Sequence, residues 1–156
     1  MAGPESKFTV CRDSREQQGW TFPANNLCSG TIIKGLKTGD YTLEGLEDVF
    51  VLERKGSTGE FSHNLIEARF IRELERLEEF KFAAVILEFS IDDLFIFPVN
   101  SGIPRQKWPS LRLTPQFLRA KLAEFELKFR TRFIFAGRRG QECAMDLFKK
   151  AVTIYG

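Results

Sequence analysis

Asp40, Glu53 and Lys55 are the residues of this chain whose types and spacing best suit a reaction. They bracket a stretch in which Tyr41-Thr-Leu-Glu44 and Val49-Phe-Val-Leu52 flank the polar segment Gly45-Leu-Glu-Asp48. β-Branched and aromatic runs on each side of a polar turn predict a β-hairpin. A turn symmetric about Leu46 and Glu47 pairs residues whose numbers add to 93, which sets Asp40 opposite Glu53. Directly opposed side chains have Cβ atoms about 5 Å apart, so both carboxylates can share one divalent cation. Lys55 lies two residues beyond Glu53 and shares its face, while Arg54 points the other way. A Mg²⁺ or Mn²⁺ ion held by Asp40 and Glu53, helped by a backbone carbonyl of the Glu53–Lys55 strand, would lower the pKa of a water and neutralise charge on a phosphate. Lys55 would orient that water or help deprotonate it. The set suits metal-assisted phosphodiester hydrolysis, although an Asp-x(12)-Glu-x-Lys spacing also arises by chance.

The elements that must position these groups can be read from punctuation and periodicity. Phe8–Cys11 predicts a first strand that stops at the polar Arg12–Glu16, residues 17–29 a loop, and Thr31–Ile33 an extended segment leading through Gly35 and Gly39 into the hairpin. After Gly56-Ser-Thr-Gly59, the stripe Ile66, Phe70, Leu74, Leu77 predicts one amphipathic helix over about residues 61–80. Ala83–Leu87 is a continuous apolar run, as in a strand buried on both faces. Pro98, Pro104 and Pro109 predict an irregular excursion over residues 97–113, with Thr114-Pro115 as N-cap and first residue of a helix burying Leu118, Leu122, Phe125 and Phe129. Arg132–Ala136 predicts another buried strand, and Gly137 leads into a last helix with Ala144, Leu147, Phe148 and Ala151 inward. Strands alternating with long helices after a hairpin indicate an α/β fold, a mixed central sheet with helices on both sides.

Composition narrows the class further. A chain of 156 residues with 43% hydrophobic and 28% charged residues fits one globular domain over 1–156, with residues 1–7 as a flexible N-terminus. Sixteen Phe against two Tyr point to a core rich in aromatic packing. Net charge is only +2, but residues 105–139 hold ten Lys/Arg against Glu124 and Glu126, whereas residues 40–93 are acidic. That asymmetry suits a polyanionic substrate and equally suits a solvated helical face. Cys11, Cys28 and Cys143 are odd in number and widely spaced, against a disulfide framework or zinc site. Reduced thiols, no signal pattern and no apolar run near the roughly 20 residues of a membrane span predict a protein of the cytoplasm or nucleoid.

Three segments together carry a resemblance: Arg12-Asp-Ser-Arg-Glu16 after the first strand, Gly39-Asp-Tyr41 opening the hairpin and Glu53-Arg-Lys55 closing it. They resemble the XPF-type (xeroderma pigmentosum group F) structure-specific endonucleases, and the similarity continues through Arg69–Leu77, Val85–Glu88 and Phe135–Arg139. The resemblance implies a restriction-endonuclease-like fold and divalent-metal cleavage of DNA, with flaps, forks or junctions as substrates in repair, recombination or replication. It implies that Asp40 and Glu53 are the primary ligands, Lys55 the catalytic lysine, and Asp13 a residue at the metal centre or just behind it. Arg15, Glu16 and Arg54 match further charged positions of that site, engaging phosphate or holding its ion pairs. Arg54 either braces the site from behind or reaches DNA around the edge. The family's acid four positions after the lysine is missing, since Gly59 stands there; Glu60 takes the role or it is vacant. One nuclease domain is expected to fill these 156 residues, leaving no room among them for the family's helix-hairpin-helix module. The resemblance also implies a small stand-alone bacterial or phage-like member, a homodimer or a recruiting protein partner, and, as the alternative to an enzyme, a catalytically silent DNA-binding or scaffolding subunit.

Other residues have two readings each. His63 reads as a surface or capping residue near a helix start before it reads as a base. Arg138 and Arg139 meet DNA phosphate or only solvent, and Trp20 and Trp108 stack on bases or cover the core. Glu88 ends a strand as a site residue does, or pairs with a neighbouring cation. Asp92-Asp93 resembles a metal pair but as a turn would face water. Gly56-Ser-Thr-Gly59 lacks the spacing and lysine of a phosphate loop.

Overall fold

The structure, a computed structural model, describes residues 7–156. Residues 1–6, most of the expected flexible N-terminus, lie outside the described residues. Six strands, β1 (Phe8–Asp13), β2 (Cys28–Lys34), β3 (Tyr41–Leu43), β4 (Phe50–Lys55), β5 (Phe82–Leu87) and β6 (Arg132–Phe135), form one mixed sheet in the order β2-β1-β3-β4-β5-β6. β1 pairs antiparallel with β3 and β3 with β4, while β1–β2, β4–β5 and β5–β6 are parallel. Helices α1 (Thr58–Leu65) and α2 (Ala68–Leu77) make the crossover from β4 to β5, α3 (Ile91–Phe95) and α4 (Pro115–Lys128) that from β5 to β6, and α5 (Gly140–Tyr155) ends the chain.

Strand alternation divides the core in two. Val51, Ala83, Val85 and Leu87 face one side and pack against Phe61, Phe70, Leu74, Leu118 and Phe125 of α1, α2 and α4. Phe50, Leu52, Ala84 and Ile86 face the other side and pack against Ala144 and Phe148 of α5 and against Trp20 and Phe22 of the β1–β2 crossover. Parallel strands covered on both faces explain the unbroken apolar run of β5. The same alternation sends Glu53 and Lys55 to the α1/α2 side with Val51, and Arg54 to the α5 side with Phe50 and Leu52.

Several expectations need correction. The helix expected over 61–80 is two helices: Ile66 caps α1 and is 54% exposed, and Glu67, in extended conformation, opens α2. The periodic stripe spans the joint, so spacing alone hides the break. β1 does not stop before the polar residues but runs through Arg12 and Asp13, and β2 begins at Cys28, inside the segment read as loop. The excursion after β5 contains α3, whose start at Ser90 has a full capping box with Asp93, and a 3-10 turn over Arg105–Ser110. β6 is an edge strand in which only Phe133 is buried. Thr114 and Pro115 do open α4, the Thr114 hydroxyl accepting from Phe117 N at 3.1 Å. The three cysteines are free thiols, and no helix of the described residues is long and apolar enough to cross a membrane.

Candidate active site

The β3–β4 hairpin pairs Tyr41 with Leu52, the register whose numbers add to 93. Its turn is tied by the Thr42 hydroxyl, which donates to the Phe50 carbonyl in place of a further ladder bond. Asp40 N donates to Leu52 O at 2.9 Å, placing the Asp40 side chain beside Glu53. Gly39 makes this entry possible: its φ is +85°, and a Cβ there would stand 2.1 Å from Val51 Cγ2. Only glycine accepts both the conformation and the contact.

Asp40, Glu53 and Lys55 therefore share one sheet face, at the floor of an open cleft of about 360 Å³ between the hairpin, the 35–39 loop and α2. Glu53 and Lys55 are buried, with Lys55 Nζ 3.5 Å from Glu53 Oε1 and 5.5 Å from the centre of the Phe70 ring. Asp40 Oδ2 accepts from Arg54 N at 2.8 Å. Glu53 Oε2 is buried and receives no N–H or O–H. The Glu53 carboxyl adjoins those of Asp40 and of Glu73 on α2, which bring acceptors rather than N–H donors.

The electrostatics follow from this crowding. Burial first, then Glu16, pushes the Asp40 carboxyl up to about 7, against the Arg54 N–H that favours its charged form. Burial, Asp40 and Glu73 raise the Glu53 carboxyl well above the usual carboxylate range. Burial works to lower the Lys55 pKa, but Glu53, Glu73, Glu60 and Asp40 outweigh it and hold the ammonium above its ordinary value. A buried carboxylate oxygen without a donor, beside two more acids and one lysine, is a site short of positive charge. Its hard oxygen donors fit Mg²⁺ or Mn²⁺. No three His, Cys, Asp or Glu side chains converge at ligating distance among the described residues, so Asp40 and Glu53 would hold such an ion together with backbone or water oxygens.

The remaining site residues occupy distinct places. Asp13 is buried at the cleft wall and fully engaged: Oδ1 accepts from Leu36 N and Oδ2 from Arg15 Nε, each at 2.9 Å. It anchors the 35–39 loop. Arg15 also donates to Leu36 O at 2.8 Å. Arg54 is held on the other face by Glu88, by Glu16 at 3.9 Å and by the Trp20 ring at 5.8 Å, which settles its side of the strand. Glu88 is thus its ion-pair partner, and Trp20 is buried against Tyr41 in the core. Burial raises the Tyr41 phenol, whose oxygen accepts from Trp20 N.

Position 59 has a steric reason for glycine. A Cβ there would lie 2.5 Å from Ser101 O, whose carbonyl already accepts from Gly59 N. Glu60 reaches back to Gly56 N at 2.9 Å and caps α1 while lining the cleft. His63, in the last turn of α1 rather than its first, is exposed and pairs with Glu67 at 3.5 Å. Trp108 braces its own loop by donating to Ile103 O. Arg139 pairs with Glu142, Arg138 is exposed, and Asp92 and Asp93 belong to α3, all outside the cleft.

Sequence reasoning missed four charged cleft residues, Glu73, Lys37, Arg69 and Arg76. Three of them lie on α2. Glu73 is three residues after Phe70 and adjoins the apolar stripe, a placement that periodicity could have flagged as half-buried. Lys37 and Arg76 are exposed and form no ion pair among the described residues, whereas Arg69 pairs with Glu67 at 3.4 Å.

No family model matches the chain, and no curated protein matches it. Among solved structures, XPF from Aeropyrum pernix is similar with a TM-score of 0.62 and 20% identity, covering 94% of this chain and 66% of that one. The same protein in complex with DNA is similar with a TM-score of 0.61, also at 20% identity over 94% of this chain and 66% of that one. The likeness shows the fold, the restriction-endonuclease-like architecture expected from the sequence.

Proposed function

We propose that this chain is a Mg²⁺- or Mn²⁺-dependent DNA endonuclease that hydrolyses phosphodiester bonds in branched or partly single-stranded DNA, in repair, recombination or replication within the cytoplasm or nucleoid. The observation that carries the reading is the gathering of Asp40, Glu53 and Lys55 on one sheet face, in an open cleft, with Glu53 Oε2 lacking any donor. Its fold is shared with a protein that has been solved in complex with DNA.

A divalent ion between Asp40 and Glu53 would neutralise charge developing on the phosphate and acidify a water. The chain's own groups do the rest. Asp40 and Glu53 are fixed by the hairpin register, and Asp40 further by the Arg54 N–H, so little reorganisation is left for the reaction. Lys55, charged and anchored at Glu53, donates hydrogen bonds that orient the attacking water or the phosphate oxygens. Lys37 and Arg76, exposed and unpaired among the described residues, are placed to grip flanking phosphates, which positions a strand without reading its sequence.

Labelled flap, fork, splayed and Holliday substrates incubated with Mn²⁺ test the reading. Wild type cuts at least one of them, and Glu53→Ala cuts none while melting no lower than wild type. Undiminished cleavage by Glu53→Ala rejects the site. Salt-sensitive binding that persists without metal, with no cutting of any junction, would support the silent scaffolding subunit instead.

A further inference from the structure

We propose that Glu73 of α2 is the third acid of the metal centre, a positioning residue that acts on the ion through Glu53. This rests on the metal-dependent reading above. Three acids are near enough to Lys55 to affect its charge besides Asp40: Glu53, Glu73 and Glu60. Glu60 is committed to the Gly56 N–H, a bond that fixes its carboxylate at the start of α1. The neighbouring position 59 cannot hold an acid while Ser101 O stands 2.5 Å from its Cβ. Glu73 has no such commitment: among the described residues it forms neither an ion pair nor an N–H bond, and it lines the cleft against the Glu53 carboxyl. The Glu53 carboxyl that it adjoins has one buried oxygen, Oε2, without a donor.

Two consequences follow from that contact. With no ion, Glu73 crowds a second acid against the buried Glu53, so Glu73 costs stability. With an ion, Glu73 adds negative charge behind Glu53 and holds its carboxylate in orientation, as partners of metal ligands do. The arm carrying it is rigid, because Phe70 and Leu74 on either side are buried in the core.

Mn²⁺ titration of the metal-free protein, followed by calorimetry and by the free-ion spin signal, tests this together with thermal melting. Glu73→Gln is expected to bind Mn²⁺ about tenfold more weakly than wild type. It should also melt higher than wild type without metal and gain less on Mn²⁺ addition. Glu73→Asp, which keeps the charge on a shorter arm, should recover part of the affinity, and Glu60→Gln should bind as wild type does. Equal affinity in wild type and Glu73→Gln overturns the inference and leaves the endonuclease reading standing. Equal weakening by Glu60→Gln also overturns it, since any acid of the cleft would then serve. No Mn²⁺ binding by wild type overturns both the inference and the metal-dependent reading.

Discussion

The two faces of β4 carry charge in opposite ways. On the α1/α2 side Asp40, Glu53 and Glu73 crowd one buried lysine at the floor of an open cleft, its other cations Lys37, Arg69 and Arg76 stand exposed at the rim, and one buried oxygen has no donor. On the α5 side Arg54 lies between Glu16 and Glu88 under the Trp20 ring, with side chains no more than 20% exposed. The buried floor of the first face is short of a cation, and the second face carries its own. One strand of six residues can therefore be both site and scaffold, because alternation separates the two tasks by about 3.3 Å of chain.

The strongest challenge to this contrast is to remove one cation from each face. Lys55→Met should lower cleavage by about 10²- to 10³-fold with the fold intact, as for loss of a charged donor aimed at the transition state. Arg54→Leu should instead cost about 3–5 kcal/mol of stability in denaturant unfolding, because it leaves Glu16 and Glu88 without their partner. Matching losses of activity and stability in the two variants would erase the distinction.

A smaller effect concerns the roof of the cleft. Gly59→Asp should destabilise by about 1–3 kcal/mol through its clash with Ser101 O, measured as a shift in the urea midpoint without gain in Mn²⁺ affinity.

Proton linkage sharpens the comparison further. The Asp40 carboxyl is pushed up to about 7 in the fold, mainly by burial, against about 4 in an unfolded chain. It therefore contributes stability that is fully present below about pH 4 and lost as pH rises through about 7. Metal-free wild type should lose melting temperature relative to Asp40→Asn over this window. Mg²⁺ should restore it, since an ion supplies the charge that the protons leave. The smallest effect is expected at the rim: Lys37→Ala and Arg76→Ala should each weaken DNA binding a fewfold and reduce the salt slope by about 0.7–0.9.

How much of this was legible depends on which interactions set each feature. The hairpin register came from local pattern, and Tyr41 opposite Leu52 confirms it; the same alternation placed Lys55 with Glu53 and Arg54 behind. Thr114-Pro115 was equally local. The joint at Ile66-Glu67 was hidden because the apolar stripe keeps helical spacing across it, and only the packing of two shorter helices shows the turn. α3 did leave a signal, Ser90 three residues before Asp93, which the neighbouring Asp92 disguised as a polar turn. β6 read as buried because apolar composition does not reveal which strand lies at the edge. Glu73 reaches the site only through the docking of α2 on the sheet, a tertiary fact, and Lys37 and Arg76 meet at the cleft for the same reason.

The touch of Gly59 against Ser101 also constrains the order in which this sequence can change. An acid at 59 becomes acceptable only after the 98–102 loop has drawn back, and a retreat of that loop removes the carbonyl that Gly59 N now bonds. Neither step is favourable alone, so a lineage with this loop is held to glycine there. An acid at the cleft meets no such clash on α2, where Glu73 already lines it.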